Sequence, residues 1–191
     1  MTFQELRSFI SADQFRYDGA AGRFWTIWFR ESGFRFTVIM RLCAFFRSQG
    51  WSRWGIYHVF RFWHRRQQVK YTTYISFESS IGPGLYLGHL LCIVVNTQTV
   101  IGRNCTLGHG VTLGQTHARS KRPGCPMIGD NVYLGCGAKL IGGINVGDNA
   151  AIGPNSVVIK DVPAMGVVSG IPAQVISMKG SDGYVSNQAS E

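Results

Sequence analysis

From residue 75 onward the apolar positions of the chain recur every six residues. Aliphatic side chains stand at Ile75, Ile81, Leu87 and Ile93, at Ile101, Leu107 and Leu113, and at Ile128, Leu134, Leu140, Val146, Ile152 and Val158. Nine of these thirteen are followed directly by glycine. A helix needs an apolar period near 3.6 and tolerates glycine poorly, and an ordinary strand alternates at two. Six residues with a turn residue beside each aliphatic instead describe short strands wound into a solenoid with the aliphatics stacked inside. The count is interrupted twice. It gains two residues between Ile93 and Ile101, and nine between Leu113 and Ile128, where QTHARSKRPGCPM makes a protruding loop over 115–127.

Residues 1–70 follow another pattern. They read as two or three helices with loops at Tyr17–Gly22 and Gln49–Ser52, because Arg41 and Phe45, and then Trp51, Trp54, His58 and Phe62, recur at helical spacing. Twelve Arg or Lys stand against four acids here, while 71–191 hold seven against six. All five Trp and eleven of the twelve Phe also lie in the first 70 residues. The expected organisation is therefore a basic, aromatic helical domain over 1–70, a solenoid over 71–177 and a polar, disordered tail over 178–191.

Five cysteines, Cys43, Cys92, Cys105, Cys125 and Cys136, are odd in number and form no CxxC pair, which argues for a reducing cytoplasm over a disulfide framework. The N-terminus lacks the apolar centre of an export signal. The apolar window Phe34–Phe46 is too short to span a bilayer and carries Arg35 and Arg41.

Three hexads make one coil, so residues three hexads apart lie above one another at about 4.8 Å. On this count His89 and His109 stack on one edge, with Cys136 and then Pro154 following in the same column. A histidine beside a groove is the usual proton acceptor near neutral pH. Such a base works together with a donor for a developing oxyanion, a role open to the unobstructed amide of Gly114. His117, Arg119, Lys121 and Arg122 share the protruding loop, where they either form a solvated basic loop or meet an acceptor or phosphate.

The stretches GLYLGHLLCIVVN, TLGHGVTLGQT, CPMIGDNVYLGCGAKLIGGINVGDNAAIG and VSGIPAQVI resemble the serine acetyltransferase family, and more closely its branch found with capsule and exopolysaccharide biosynthesis. The resemblance implies a left-handed parallel β-helix, a homotrimer and acetyl-CoA as co-substrate in a groove between subunits. It gives His89 as general base, with His109 beside it. Gly114 faces the thioester carbonyl, Cys136 and Pro154 line the pantetheine arm, and Lys160 lies near the nucleotide phosphates. Three departures bear on the acceptor. Family members carry an aspartate before the base histidine to hold the serine amine, and here that position is Gly88. The loop histidine before proline is Cys125. The acid that orients the base aligns with Tyr74, leaving Glu78 as the nearest carboxylate in sequence. These departures raise the expectation of a saccharide acceptor in surface-polysaccharide synthesis, with His117, Arg119 and Arg122 as acceptor-binding residues.

The alternatives are a serine acetyltransferase of cysteine biosynthesis, a zinc-dependent β-helix carbonic anhydrase and a scaffold without chemistry. Against zinc, the second histidine of the anhydrase repeat falls on Gly114. The basic, aromatic first 70 residues suit a cap on the solenoid with peripheral contact to the inner membrane. No nucleic-acid-binding motif is present, so nucleic acid is not an expected partner. A dimer of trimers and a lipid-linked acceptor remain open.

Overall fold

The computed structural model describes residues 1–19, 22–50, 55–119 and 121–189. Four helices precede the solenoid among these residues: α1 (Phe3–Asp18), α2 (Phe24–Arg30), α3 (Ser32–Ser48) and α4 (Ile56–Lys70). α1 opens with a capping box in which the Thr2 hydroxyl accepts from the Glu5 amide and the Glu5 carboxylate accepts from the Thr2 amide. It runs through Tyr17, which had been expected in a loop. The extended backbone of Glu31 (φ −104°, ψ 107°) ends α2 and begins α3, which is why four helices stand where two or three were expected. Trp51 and Trp54 of the aromatic series, Ser52 of the second expected loop, and Ala20 and Ala21 of the first lie outside the described residues. No helix among the described residues is long and apolar enough to cross a membrane.

From Tyr74 the chain winds as a left-handed parallel β-helix of three sheets. One holds Tyr74–Ile75, Val94–Val95, Thr112–Gly114, Lys139–Ile141 and Val157–Val158. The second holds Ser80–Ile81, Val100–Ile101, Met127–Ile128 and Asn145–Val146. The third holds Tyr86–Leu87, Thr106–Leu107, Tyr133–Leu134, Ala151–Ile152 and Val167–Gly170, and an antiparallel strand, Ala173–Ser177, closes its end. The second residue of nearly every strand points inward and is buried, so Ile75, Leu87, Leu107, Leu113, Leu134 and Leu140 form one core. Each such side chain stabilises the fold by about 1.5–3 kcal/mol. Corners turn on residues with positive φ, among them Asn104, Asn131, Asn149 and Asn155, since asparagine tolerates the left-handed region.

The hexad register breaks earlier than the apolar pattern implies. Ile75 pairs with Val95, not with Ile93. The two additional residues therefore lie before Val95, in the corner that begins at His89, and not after Ile93. Ile93 is fully buried at that corner, where its carbonyl accepts from the Tyr74 amide.

The tail also differs from expectation. Ser181 is buried and donates to the Asn131 carbonyl at 2.6 Å, Tyr184 stacks on Tyr133 at 5.0 Å, and Ala189 exchanges two hydrogen bonds with the Asn104 side chain. Its small polar residues serve the corner asparagines, so a polar composition here marks a hydrogen-bonded strap along the solenoid.

The helices are joined to the first coils through buried charge. Arg41 bridges Asp13 and the carbonyls of Ile81 and Gly82, both at 2.6 Å, while Asp13 accepts from the Gly84 and Leu85 amides at 2.9 Å. Burial pushes the Asp13 carboxyl upward, opposed by Arg41 and by those two amides. Removing either partner would strand the other, at a cost of about 3–5 kcal/mol.

Candidate active site

Strand pairing puts the two histidines in one column. Leu87 pairs with Leu107, Leu107 with Leu134 and Leu134 with Ile152, so the residues two further on, His89, His109, Cys136 and Pro154, follow one another up one edge. The His89 and His109 rings are 6.2 Å apart at 61°, and both side chains are exposed. Backbone bonds knit the column: Gly110 donates to Leu91, Gly137 to the His109 carbonyl and Asn155 to the Cys136 carbonyl, at 2.8–2.9 Å.

Consecutive residues of α1 hold the two strands that lead into the histidines. The Tyr17 hydroxyl accepts from the Leu87 amide at 3.1 Å and donates to the Leu87 carbonyl at 3.3 Å. The Arg16 guanidinium donates to the Asn104 carbonyl and to the Thr106 hydroxyl, each at 2.7 Å. α3 approaches the same place, where a methyl on Gly33 would overlap the Leu87 carbonyl. Higher up, the Lys139 ammonium donates to the Gly110 carbonyl at 2.5 Å and fixes the far side of the His109 corner. None of these supports was legible in the sequence, because each joins residues that local spacing does not relate.

Gly114 ends a strand of the neighbouring sheet, half-buried, and its carbonyl accepts from Gly142 at 3.0 Å. It stands one strand on from His109, outside the histidine column. Pro154 and Lys160 are exposed and Cys136 is half-buried. In the protruding loop His117 and Arg119 are exposed. Arg122 spends its charge on Asp161 at 2.6 Å, next to Lys160, which raises the guanidinium pKa and lowers that of the carboxyl. Thr116 donates to the Arg122 carbonyl and Gly143 donates to the same atom at 3.0 Å, so the loop is pinned at its base to the next coil.

The departures acquire a geometry as well. A side chain on Gly88 would begin 3.2 Å from the Tyr86 ring, which itself lies 4.6 Å from the Tyr17 ring. Glu78, the nearest carboxylate in sequence, forms an ion pair with Arg47. The Cys125 sulfur lies 3.9 Å from the Gln98 side-chain oxygen, and burial raises its thiol pKa. Among the described residues no group of three or more His, Cys, Asp or Glu side chains is placed to hold a metal ion.

The histidine column stands on a hexad-built left-handed β-helix, and residues 126–160 match the family described as bacterial transferase hexapeptide, six repeats. At 42% identity over 103 residues the chain resembles the serine acetyltransferase of Staphylococcus aureus, the match covering 53% of this chain and 47% of that one. The chain spans about half the length of the curated relatives it matches. Among solved structures, the Brucella abortus serine acetyltransferase in complex with coenzyme A is 33% identical with a TM-score of 0.73, covering 93% of this chain and 68% of that one. The Neisseria gonorrhoeae serine acetyltransferase in complex with serine is 29% identical with a TM-score of 0.73, covering 90% and 69%. The chain belongs to the serine acetyltransferase family. The expected saccharide acceptor and polysaccharide branch are overturned here, because the relatives at 34–42% identity are serine acetyltransferases.

Proposed function

We propose that this protein transfers the acetyl group of acetyl-CoA to the hydroxyl of L-serine. The observation that carries the reading is the His89–His109 pair, 6.2 Å apart on an exposed edge of a chain whose relatives are serine acetyltransferases. His89 takes the proton of the acceptor hydroxyl as its oxygen attacks the thioester carbonyl. The Gly114 amide donates to the oxyanion of the tetrahedral intermediate. Collapse expels the CoA thiolate, which takes the proton back from the His89 imidazolium, leaving an O-acetyl ester and CoA. His109 steadies the acceptor or the base. Cys136 and Pro154, small residues of the same column, leave room for the pantetheine arm, and Lys160 meets a phosphate. His117 and Arg119 of the loop reach the groove between subunits of a homotrimer, while Arg122 fixes the loop's base.

Gly88 supplies no carboxylate for the serine ammonium, and this reading expects that lack as a high KM for L-serine. The reading is tested by CoA thiol release from acetyl-CoA with L-serine as the sole acceptor. Saturable release is expected, and His89→Ala should reduce it by about 10²–10⁴-fold while CoA binding is retained. Release no faster than hydrolysis at every serine concentration would overturn it.

A further inference from the structure

The helical domain carries an apolar, basic face that no other element covers among the described residues. On α4, Val59, Phe62, Trp63, Arg66, Val69 and Lys70 follow one another at separations of one and three residues along one outward stripe. Phe62 is 60% exposed, Trp63 50% and Val69 74%. Across a groove from Trp63, Arg66 and Lys70 stands Phe29 of α2, itself 74% exposed and stacked on the equally outward Trp25. Arg66 lies over the Phe62 ring at 5.7 Å, and a second hollow with Phe62 and Val69 shares Arg66 and Lys70 with the first. The surface is therefore continuous across the two helices.

Its charge is one-sided on α4, while at the α2 end the acids Asp18 and Glu31 are paired with Arg30. No Asp or Glu occurs from Ser32 to Phe77, a stretch with eight Arg or Lys. Arg61, Arg65, Arg66 and Lys70 form no ion pair among the described residues. Exposed Trp and Phe interleaved with unpaired Arg and Lys match the boundary of an anionic bilayer, where rings enter the headgroup layer and cations meet lipid phosphate. A second copy of the chain is the poorer occupant, because like faces would bring their cations together.

We infer that the α2–α4 face docks this protein on an anionic membrane surface. The face ends beside the active edge: the Tyr71 carbonyl, next to Lys70, accepts from the Cys92 amide at 3.1 Å, three residues past His89. Docking would hold that edge close to the lipid plane.

The test is sedimentation of the full chain with sucrose-loaded vesicles, phosphatidylcholine alone or mixed with phosphatidylglycerol, at physiological salt. Binding to the mixed vesicles alone is expected. Arg66→Glu with Lys70→Glu, and separately Trp25→Ser with Phe29→Ser and Trp63→Ser, should each weaken it by at least about tenfold with unchanged circular dichroism. Failure to sediment with either vesicle, or equal binding to both, would overturn the inference. So would variants that alter the assembled mass in light scattering and leave lipid binding intact, since the face would then join copies of the chain.

Discussion

The Tyr17 hydroxyl engages both backbone groups of Leu87, two residues before His89. A helix from the start of the chain thus sets the height and tilt of the strand that delivers the candidate base. Tyr17→Phe keeps the ring against Phe34 and Tyr86 but leaves a buried amide and carbonyl without their partner. The expected cost is about 1–3 kcal/mol in unfolding free energy, with kcat falling more than the affinity for CoA. Denaturant midpoints and steady-state kinetics check both halves. An unchanged kcat would show that the strand holds its position without the hydroxyl.

Thiol chemistry tests the proposed place of the pantetheine arm. Burial pushes Cys43 and Cys105 up to about 12, so neither should react in the folded protein at neutral pH. Cys92 is exposed and Cys125 and Cys136 are half-buried, and these are the expected sites of modification. If the pantetheine arm runs along the column, saturating CoA should slow labelling of Cys136 several-fold, read by mass spectrometry of the digested protein. Identical labelling with and without CoA would move the arm elsewhere.

His64 makes stability depend on pH. It sits between Phe36 at 5.0 Å and Phe77 at 5.9 Å, its Nε2 has no partner among the described residues, and burial lowers its pKa to about 4. Above the unfolded value of about 6.5 the ring is neutral in both states and contributes nothing to the pH dependence. As pH falls from there toward 4 the unfolded chain takes up the proton first, and about 3 kcal/mol of stability is lost across that window. His64→Leu should lose this component, so the gap between the denaturant midpoints of wild type and variant should change between about pH 7 and about pH 5. A constant gap would show that His64 does not titrate differently on unfolding.

The solenoid was legible in the sequence because each coil repeats one physical requirement, an inward aliphatic followed by a turn. The His89, His109, Cys136 and Pro154 column followed from the same count, and strand pairing places it on one edge. The count misjudged where two residues are added, since Ile93 and Val95 are both fully buried and apolarity alone cannot say which one faces its neighbour in the sheet. The Asp13–Arg41 pair and the Tyr17 clamp were not legible, because they join residues 28 and 70 positions apart. The acceptor was misread for a different reason. The absence of a carboxylate at Gly88 and of a histidine at Cys125 says which contacts are missing, and missing contacts do not define what binds.

The two residues added at the His89 corner show how this architecture confines an irregularity to one corner. Within the three sheets each coil pairs only with the coils directly above and below it, so the longer corner leaves Val95 opposite Ile75 and the pairings above it in step. A corner can lengthen, shorten or exchange side chains without shifting the register of the strands on either side. The histidine edge can therefore differ in length and chemistry one corner at a time, on a frame of strands that stays in step.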